Sequence, residues 1–319
     1  MSPLGNERVV DLRILITGST GFIGRALSKE LNEKGFDVFG LTREDKFSKV
    51  MPDWFKPVRG DLTEPKSLER AVEIVRPNIV IHLASLTPVR FSFSNPTEYA
   101  RVNYLGTVNL IEAVKGKVEQ LVHASTAEAY LPSEGLLKED TPLFGGTPYG
   151  VSKAAADFYV QMAGRSWGLP YTILRPANTY GRQFELPDEA RGYLVEKAII
   201  QMLTQKKVLF DGPPSPMRCW MHVDDHVGAY LRVIANPEAI GRIFNASPNN
   251  CMSVGEVVNL IAELTGFRGE ILWNQNPRPY DPPSLCPDGS ALIGLGWKPK
   301  RSLEEGLRKT VEFWRERIG

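Results

Sequence analysis

Tyr149 and Lys153 are four residues apart, so on a helix their side chains would project from one face, one turn apart. A tyrosine hydroxyl has a pKa of about 10, and a nearby ammonium group stabilises its phenolate form. Such a pair can move a proton to or from a hydroxyl or carbonyl oxygen. Alone, the spacing is common by chance and also describes two exposed helix residues.

Ser125 and Thr126 directly follow the apolar, strand-like segment Gln120–Ala124. Their hydroxyls would therefore lie at the carboxyl edge of a parallel sheet, where folds of this kind bind ligands. Together with Tyr149 and Lys153 they could bind a carbon centre that interconverts between alcohol and carbonyl. These residues predict proton-transfer and redox chemistry at such a centre.

A second pattern, Gly18-x-x-Gly21-x-x-Gly24, lies between a strand-like segment and a helical pattern. The pyrophosphate of a dinucleotide needs bare backbone N–H groups and the positive end of a helix dipole, and glycine lets the backbone come close. The spacing differs from the commoner GxGxxG, so alone it would also fit a tight turn in an unrelated α/β protein. With the hydroxyl residues above, it predicts a dinucleotide site.

The end of the second strand-like segment bears on the type of dinucleotide. A carboxylate there would bind the ribose hydroxyls of NAD, and a basic residue would accept the 2′-phosphate of NADP. The sequence places Arg43 at this point, with Glu44 and Asp45 immediately after it. Arg43 favours NADP mildly, and NAD stays open because either carboxylate could reach the ribose.

The elements that must position these residues alternate between strand and helix. Predicted strands are Arg13–Thr17, Asp37–Leu41, Asn78–Leu83, Gln120–Ala124 and Tyr171–Leu174. Predicted helices between them include Ser67–Val75, Thr97–Val114 and Tyr149–Ala163. This order predicts an α/β fold: a Rossmann-type, doubly wound parallel sheet with a smaller C-terminal substrate-binding domain.

The domain boundary is expected near residue 176, where the pattern changes to proline-rich stretches and shorter elements. We expect a dinucleotide-binding domain over 9–176, with 206–246 partly returning to it, and a substrate-binding domain from 177–205 and 247–319. Two segments could rejoin the main sheet: Lys207–Phe210 and Gly241–Ala246.

Composition limits the classes of partner. The chain has 319 residues, 42% of them hydrophobic and 24% charged, as in ordinary globular proteins of one or two domains. Its 38 basic and 37 acidic residues leave a net charge of +1, so no overall field would attract nucleic acid. No apolar stretch is long enough to span a membrane. We expect neither nucleic acid nor membrane as a partner.

The three cysteines, Cys219, Cys251 and Cys286, are far apart in the sequence and show no CxxC spacing. An odd number without motif spacing fits a reducing compartment and predicts no structural disulfide framework. The first eight residues lack the apolar core of a signal peptide. We therefore expect a cytoplasmic protein.

Several segments jointly resemble one family. They are TGSTGFIG (17–24), GDL (60–62), HLAS (82–85), VNYLGTVNLIEA (102–113), STAEAY (125–130), PYGVSK (148–153), LRPANTYG (174–181), RCWMHVDD (218–225) and LGWKPKRSLEEGLRKTVEFW (295–314). Over about residues 12–316 the chain resembles an extended short-chain dehydrogenase/reductase of the NAD-dependent epimerase/dehydratase family, most of all its nucleotide-sugar branch.

The resemblance implies roles for individual residues. The implied catalytic residues are Ser125, Thr126, Glu128, Tyr149 and Lys153. The implied cofactor-binding residues are Gly18, Thr20, Gly21, Phe22, Ile23, Gly24, Arg43, Asp61, Leu62, Ala84, Ser85, Tyr149 and Lys153. The residues that resemble the family's contacts to the substrate diphosphate are Asn178, Arg218 and Arg278, and guanidinium groups suit phosphate oxygens because they bind them bidentately. It also implies a homodimer through the helices Thr97–Val114 and Tyr149–Ala163.

Glu128 bears on the type of reaction. A carboxylate near a 4-keto-sugar could move the proton of the neighbouring carbon, as a dehydratase requires, but epimerases and reductases also carry glutamate here. The resemblance therefore implies transient C4 oxidation by bound NAD(P) in an epimerase or a 4,6-dehydratase. An NADPH-dependent 4-keto-sugar reductase, a carbonyl reductase of a non-nucleotide substrate and a non-catalytic dinucleotide sensor are the alternatives.

Four histidines complete the candidate residues. His222 and His226, with Asp224 and Asp225 between them, have the content of a metal site, but in the family this stretch is a strand-to-helix junction. We therefore expect no metal. His82 and His123 lie on predicted buried strands, where a hydrogen-bonded core histidine is expected.

Overall fold

The computed structural model describes residues 12–43, 52, 55–181, 193–274 and 279–318. The strands in this part of the chain are β1 Arg13–Thr17, β2 Asp37–Thr42, β3 Lys56–Arg59, β4 Ile79–His82, β5 Gln120–Ala124, β6 Tyr171–Pro176, β7 Asn178–Tyr180, β8 Lys207–Asp211, β9 Met217–Arg218, β10 Trp220–His222, β11 Arg242–Ala246, β12 Met252–Ser253, β13 Glu270–Asn274 and β14 Ser284–Leu285. No helix within these ranges has the length and apolar character that crossing a membrane requires.

The α-helices are α1 Phe22–Glu33, α2 Pro65–Val75, α3 Val89–Ser92, α4 Pro96–Tyr99, α5 Gly106–Val114, α6 Pro148–Trp167, α7 Leu194–Thr204, α8 Val223–Val233, α9 Val254–Thr265, α10 Ser290–Gly294 and α11 Leu303–Ile318. A π-helical segment, Ala100–Leu105, joins α4 to α5. The single helix expected over 97–114 is therefore continuous, but its middle segment is π-helical and not α-helical. Short 3-10 turns cover Ala127–Ala129 and Pro237–Ala239.

Seven strands form one parallel sheet in the order β3-β2-β1-β4-β5-β6-β11. The chain runs outward from β1 in one direction and then returns to its other side, which is the doubly wound arrangement. The Rossmann-type parallel sheet predicted from the sequence is confirmed.

Strand β1 shows how the sheet acquires two covered faces. Successive strand side chains point to opposite faces. Ile14 and Ile16 accordingly join one hydrophobic cluster with Leu27 of α1, while Leu15 joins a second cluster with Leu68 of α2. A parallel sheet buried on both faces needs continuous apolar strands, and the RILIT segment provides one.

Strand β3 was not expected from the sequence. It contains Pro57, which cannot donate a ladder hydrogen bond, and within it only Val58 is buried. Both features fit an edge strand, because its outer side needs no backbone donors. Its carboxyl end places Asp61 and Leu62 next to the end of β2.

Helix α6 positions Tyr149 and Lys153. Pro148 occupies its first turn, and the hydroxyl of Thr147 accepts a hydrogen bond from the N–H of Gly150 at 2.9 Å. The helix ends at Gly168, whose φ of 68° is the left-handed conformation that glycine adopts at low cost. Since both ends are fixed locally, Tyr149 is held in the first turn and Lys153 one turn later.

Of the two segments that could rejoin the main sheet, only one does so. β11 pairs in parallel with β6, as expected. The possibility that Lys207–Phe210 returns is wrong, because β8 pairs with β13 in a separate two-stranded sheet. Val208 and Phe210 of β8 are buried in a hydrophobic cluster with side chains of α7, α9 and α11, and this packing holds the strand away from the main sheet.

The expected absence of a structural disulfide is wrong. Cys219 and Cys251 are joined by a disulfide, and Cys286 is a buried free thiol. The physical reason is strand pairing: β12 runs antiparallel to β9, and this brings together residues that are remote in sequence. Spacing along the chain could not reveal it.

Candidate active site

The hydroxyls of Ser125 and Thr126 lie at the carboxyl end of β5. The side chain of Thr126 caps the 3-10 turn that follows, accepting a hydrogen bond from the N–H of Glu128 at 3.2 Å. Ser125 is only 5% exposed, and its Oγ has no hydrogen-bond partner among the described residues. A buried hydroxyl without a hydrogen bond lowers the stability of the fold, and a bound substrate oxygen would supply the missing hydrogen bond.

Tyr149 lies against this turn. Burial raises the pKa of its hydroxyl well above the usual value, and a hydrogen bond with the Thr126 side chain partly opposes that rise. The carboxylate of Glu128 raises the pKa further by its charge. The structure thus brings Thr126, Glu128 and Tyr149 together, with the ring of Tyr99 in edge contact at 6.3 Å from that of Tyr149.

Lys153 is buried one helical turn from Tyr149. Its Nζ donates a hydrogen bond to the backbone carbonyl oxygen of Ala124 at 2.6 Å. Burial lowers the pKa of this ammonium group to about 8, although the charge of Asp157 opposes the shift. The lysine is therefore a cation whose charge depends on pH near neutrality.

Sequence analysis missed the buried ion pair behind Lys153. Asp157 Oδ2 accepts a hydrogen bond from Arg175 Nε at 2.8 Å, and Arg175 Nη1 donates to the hydroxyl of Tyr130 at 2.9 Å. The spacing of Asp157, four residues after Lys153 on the same helix, was an available signal. The ion pair between Asp157 of α6 and Arg175 of β6 therefore fixes the helix against the sheet.

Two glycines of the glycine loop lie very close to neighbouring backbone atoms. Gly18 has a φ of +71°, and a Cβ there would lie 2.7 Å from the N atom of Ala84. A Cβ on Gly24 would lie 2.1 Å from the carbonyl oxygen of Gly18, so α1 can pack on the loop only without a side chain at this position. Any residue other than glycine at either position would push apart the loop, α1 or the end of β4.

The loop also fits a pyrophosphate. Helix α1 begins after Gly21, which has no side chain that could cap the first turn. The backbone N–H groups of Phe22 and Ile23 at this helix N-terminus therefore have no side-chain partner in the described part of the chain. The carbonyl oxygen of Thr20 is held by Arg25 Nε at 2.8 Å. Bare N–H donors at a helix N-terminus are the groups that bind a diphosphate.

The residues expected at the adenine follow β2 and β3. Asp61 Oδ1 accepts hydrogen bonds from the N–H and the hydroxyl of Thr63, at 2.7 and 2.8 Å. The carbonyl oxygen of Leu62 accepts from Asn109 Nδ2 at 2.8 Å. Arg43 is exposed directly after β2, while Glu44 and Asp45 lie outside the described residues.

Ala84 and Ser85 follow the end of β4, beside the glycine loop. The N–H of Ala84 donates to Thr17 Oγ1 at 3.1 Å. Asn103, which sequence analysis missed, accepts from the N–H of Leu86 at 2.7 Å and donates to the hydroxyl of Ser152 at 3.0 Å. This asparagine therefore ties the segment after β4 to helix α6.

The core histidines differ from each other. His82 is hydrogen-bonded through both ring nitrogens, to the hydroxyls of Thr17 and Thr107 at 2.8 and 2.9 Å, as expected. For His123 the expectation of hydrogen bonding is wrong: neither ring nitrogen has a partner within the described chain, and Asp157 Oδ1 is 3.8 Å from its Nε2. Burial, first of all, lowers the pKa of both rings, so they are neutral.

His222 and His226 lie at a strand-to-helix junction, as expected. His222 ends β10 and caps α8 by accepting a hydrogen bond from the N–H of Asp224 at 3.2 Å. His226 Nδ1 is 2.9 Å from the hydroxyl of Thr179.

Two of the residues expected to bind the substrate diphosphate, Asn178 and Arg218, lie on the short strands after β6. Arg218 is buried, and its Nη2 donates to Asp281 Oδ1 at 2.7 Å. Asn178 is exposed on β7, and its N–H donates to the carbonyl oxygen of Cys219 at 3.1 Å. Arg278 lies outside the described residues. Asp281, which orients Arg218, gave no sequence signal.

Comparisons with known proteins find relatives that match nearly the whole chain. The probable dTDP-glucose 4,6-dehydratase of Sinorhizobium fredii is 30% identical over 332 aligned residues, which cover 96% of this chain and 93% of the relative. The UDP-glucose 4-epimerase of Thermotoga maritima, solved with UDP-glucose, superposes with a TM-score of 0.88 at 28% identity over 97% of this chain and 100% of that one. The Thermus thermophilus UDP-glucose 4-epimerase in complex with NAD has a TM-score of 0.86 at 30% identity, over 95% and 99%.

The profile of one family, described as the NAD dependent epimerase/dehydratase family, matches residues 14–247. This match includes the glycine loop, the hydroxyls after β5 and the Tyr149–Lys153 helix. The chain belongs to the NAD dependent epimerase/dehydratase family.

Proposed function

We propose that this protein oxidises a nucleotide-diphosphate sugar transiently at C4 with bound NAD and completes the reaction as a 4-epimerase. The observation that carries the proposal is the buried group formed by Ser125, Thr126 and Tyr149 at the carboxyl end of β5. Tyr149 forms a hydrogen bond with the Thr126 side chain, and the Ser125 hydroxyl has no partner among the described residues. Two similar solved structures are UDP-glucose 4-epimerases, one with UDP-glucose and one with NAD.

The glycine loop would hold the diphosphate of the cofactor. Its donors are the N–H groups of Phe22 and Ile23, since the N–H of Gly21 already donates to the carbonyl oxygen of Gly18 at 3.1 Å. The loop also approaches Ala84 closely enough to place that segment beside the cofactor. When bound, NAD supplies the acceptor for a hydride from the sugar. Arg43, Asp61 and Leu62 would lie toward the adenosine end, and Ser85 toward the nicotinamide.

Tyr149 would take the proton of the sugar hydroxyl and later return it. Because burial raises its pKa, the phenolate needs nearby stabilising groups, and the hydrogen bond with Thr126 is one of them. Lys153 contributes a positive charge from the same helix face. Ser125 would donate its unpaired hydroxyl hydrogen to the reacting oxygen, which positions that oxygen for proton exchange.

A 4,6-dehydratase is the second candidate, and the position of Glu128 favours it. Glu128 lies in the 3-10 turn that Thr126 caps, and the charge of its carboxylate contributes to the raised pKa of Tyr149. A base there could remove the proton next to a C4 ketone, and the hydroxyl at C6 would then take up a proton and leave as water. The relative from Sinorhizobium fredii bears the name of such an enzyme.

For the substrate side, we propose that 177–205 and 247–319 form the substrate-binding domain and that Asn178, Arg218 and Arg278 bind the diphosphate. The buried Arg218 supports this, because Asp281 holds its guanidinium group in one orientation.

For the cofactor, NAD is favoured over NADP by the NAD complex of the Thermus thermophilus relative. The lean toward NADP from Arg43 stays a prediction.

We further propose a homodimer that pairs helices of the α4–α5 segment and α6. The support is apolar surface on these helices: Leu105, Val151 and Phe158 are 49, 53 and 57% exposed. Val151 and Phe158 are seven residues apart, so they lie on one face of α6. Burying them against a second copy would remove that apolar surface from water.

Product analysis tests the function. The purified protein, with catalytic NAD and no added reductant, is incubated with UDP-, GDP-, dTDP- and CDP-hexoses, and products are analysed by mass spectrometry and sugar chromatography. A new sugar of unchanged mass establishes the epimerase, and loss of water establishes the dehydratase. Turnover that requires added NADPH and a keto-sugar would replace both with a reductase. Tyr149→Phe is the control, and normal turnover in it contradicts the proposed site.

A further inference from the structure

The three cysteines of the chain form a row across one small sheet, which we call the cysteine row. Strand β9 lies between β12 and β14, and Arg218 of β9 pairs with Met252 on one side and Leu285 on the other. The next residue along β9 is Cys219. Continuing both registers by one position places Cys251 and Cys286 on either side of it, and the three sulfur atoms lie within 4.8 Å of one another.

The members of the row differ in bonding and accessibility. Cys219 and Cys251 form a disulfide, and Cys286 is a free thiol. Cys219 and Cys286 are 1 and 6% exposed, while Cys251 is half-buried. Of the three cysteines, Cys251 is therefore the residue most accessible to a small thiol arriving from solvent.

The cysteine row adjoins strand β9, which carries Arg218, one of the residues proposed to bind the substrate diphosphate. Cys219 directly follows Arg218, and its carbonyl oxygen accepts the hydrogen bond from the N–H of Asn178. On the other side of the crosslink, the side chain of Asn250 binds both the N–H and the carbonyl oxygen of Trp220, at 3.0 and 2.8 Å. The disulfide thus ties the 250–251 segment covalently to Cys219, the residue that follows Arg218 and is hydrogen-bonded to Asn178.

We propose that the cysteine row is a reversible redox site, modified by small thiols and disulfides, whose crosslink preorganises the diphosphate-binding strand. The second half of this inference rests on the proposed function. Since a preorganised site avoids the cost of ordering its groups on binding, the crosslinked form binds the nucleotide more tightly.

Reduction follows ordinary thiol–disulfide exchange. A dithiol attacks Cys251 Sγ as a thiolate, the bond to Cys219 breaks, and Cys219 leaves as a thiolate that takes up a proton. The second sulfur of the dithiol then attacks the mixed disulfide, and Cys251 leaves and is protonated in turn. Two electrons and two protons pass to the protein, and the dithiol becomes a cyclic disulfide. Oxidised glutathione reverses the step and is reduced to two thiols.

The register makes Cys219 the obligatory member of any crosslink. It can pair with Cys251 or, after the Cys286 thiolate attacks its sulfur and expels Cys251 as a thiolate, with Cys286. Cys251 and Cys286 lie on opposite sides of β9. The Cα atoms of Cys219 and Cys251 are 3.9 Å apart, and Cys286 lies one further strand spacing away on the other side. The Cα atoms of Cys251 and Cys286 are therefore about 9 Å apart, beyond the roughly 7 Å that a disulfide spans without backbone movement.

Thiol mapping tests the site on the full chain. Protein equilibrated with oxidised glutathione or with dithiothreitol is quenched in acid, alkylated in denaturant and analysed by peptide mass spectrometry. We expect a Cys219–Cys251 crosslink with Cys286 alkylated after oxidation, and three alkylated cysteines after reduction. In Cys251→Ser the crosslink should move to Cys219–Cys286. In Cys219→Ser no intrachain crosslink should form.

Three results would overturn the redox site. They are three reduced cysteines in wild type after oxidation, a Cys251–Cys286 crosslink in Cys219→Ser, and a Cu⁺ or Zn²⁺ ion retained by the reduced protein in native mass spectrometry that blocks crosslinking. The last result would assign the row to a soft metal ion, for which thiolates are also suitable ligands.

Calorimetric titration with UDP tests the coupling. We expect roughly fivefold weaker UDP binding to the reduced than to the crosslinked protein. Cys286→Ser, which keeps the Cys219–Cys251 pair, is the matched control and should show the same difference. Equal affinities would overturn the coupling. If UDP does not bind, the titration is repeated with dTDP, GDP and CDP. No binding of any of the four to either form would overturn the nucleotide-sugar proposal and the coupling with it, while the thiol map still decides the redox site.

Discussion

Lys153 Nζ donates a hydrogen bond to the backbone carbonyl oxygen of Ala124 at 2.6 Å, which ties helix α6 to the last residue of β5. The next residue, Ser125, carries the unpaired hydroxyl of the candidate site. The lysine therefore contributes a positive charge and also fixes the distance between the strand end and the helix that carries Tyr149.

The pH dependence of turnover should reflect this lysine. Its pKa is about 8, so the ammonium form is lost as the pH rises through that value. Losing the charge weakens the stabilisation of the Tyr149 phenolate, and we expect kcat/KM to fall above about pH 8. A pH–rate profile measures this, and Lys153→Met should show slow turnover without the alkaline fall. An identical fall in that variant would assign the titration to another group.

Glu128 separates the two candidate reactions. For a dehydratase, Glu128→Gln removes the base that acts on the neighbouring carbon, and we expect turnover to fall by about a hundredfold or more. For an epimerase the carboxylate is not needed for proton transfer, so turnover should change by only a few fold. Rates of loss of water and of epimer formation in wild type and variant measure both outcomes. Unchanged water loss in the variant would remove Glu128 from the dehydratase mechanism.

Glu196 should make stability depend on pH. This carboxyl is fully buried, its Oε1 accepts from the N–H of Gly181 at 2.9 Å, and burial raises its pKa from 4.5 to about 7. Between these values the folded chain holds a proton that the unfolded chain releases, so stability falls as the pH rises from about 4.5 to 7.

Glu196→Gln, which mimics the protonated form, should remove that dependence. We expect the variant to be more stable than wild type at pH 8 by on the order of 2–3 kcal/mol, with the difference vanishing near pH 4.5. Denaturant unfolding at both pH values measures it. A constant difference across the range would show that the carboxyl does not titrate in this window.

The proposed dimer can be tested at Phe158. This side chain is 57% exposed on α6, on the same face as Val151. Phe158→Arg would place a charge inside the proposed interface, so we expect a dimer in wild type and a monomer in the variant by sedimentation velocity. Ile74→Arg, at an exposed apolar residue on α2, is the matched control and should remain dimeric. A monomeric wild type would remove the proposal.

The main sheet and the catalytic group could be predicted because their signals are local. RILIT followed by the glycine loop specifies strand, turn and helix within a few residues, and Tyr149 and Lys153 share a helix face through their spacing alone. Strand β3 was missed because an edge strand needs neither a continuous apolar run nor a full set of backbone donors.

What the sequence could not predict depends on pairing between remote segments. The partners of Arg218 are one example, since Asp281 reaches it only through the folding of the short strands. His123 is another, because its buried position follows from the strand pattern but its lack of hydrogen bonds depends on where Asp157 and Arg175 lie. The cysteine row follows from strand register, which a single sequence does not encode locally.

The position of β11 affects how the chain folds during synthesis. Its partner β6 ends at Pro176, but β11 begins only at Arg242, after a long excursion through the short strands. At roughly 5–20 residues per second, a translating ribosome leaves the outer edge of β6 open for several seconds. During that time its free backbone groups can pair with a neighbouring nascent chain. A fragment that stops before Arg242 should therefore aggregate, and chaperones that cover strand edges should matter most while this excursion is being made.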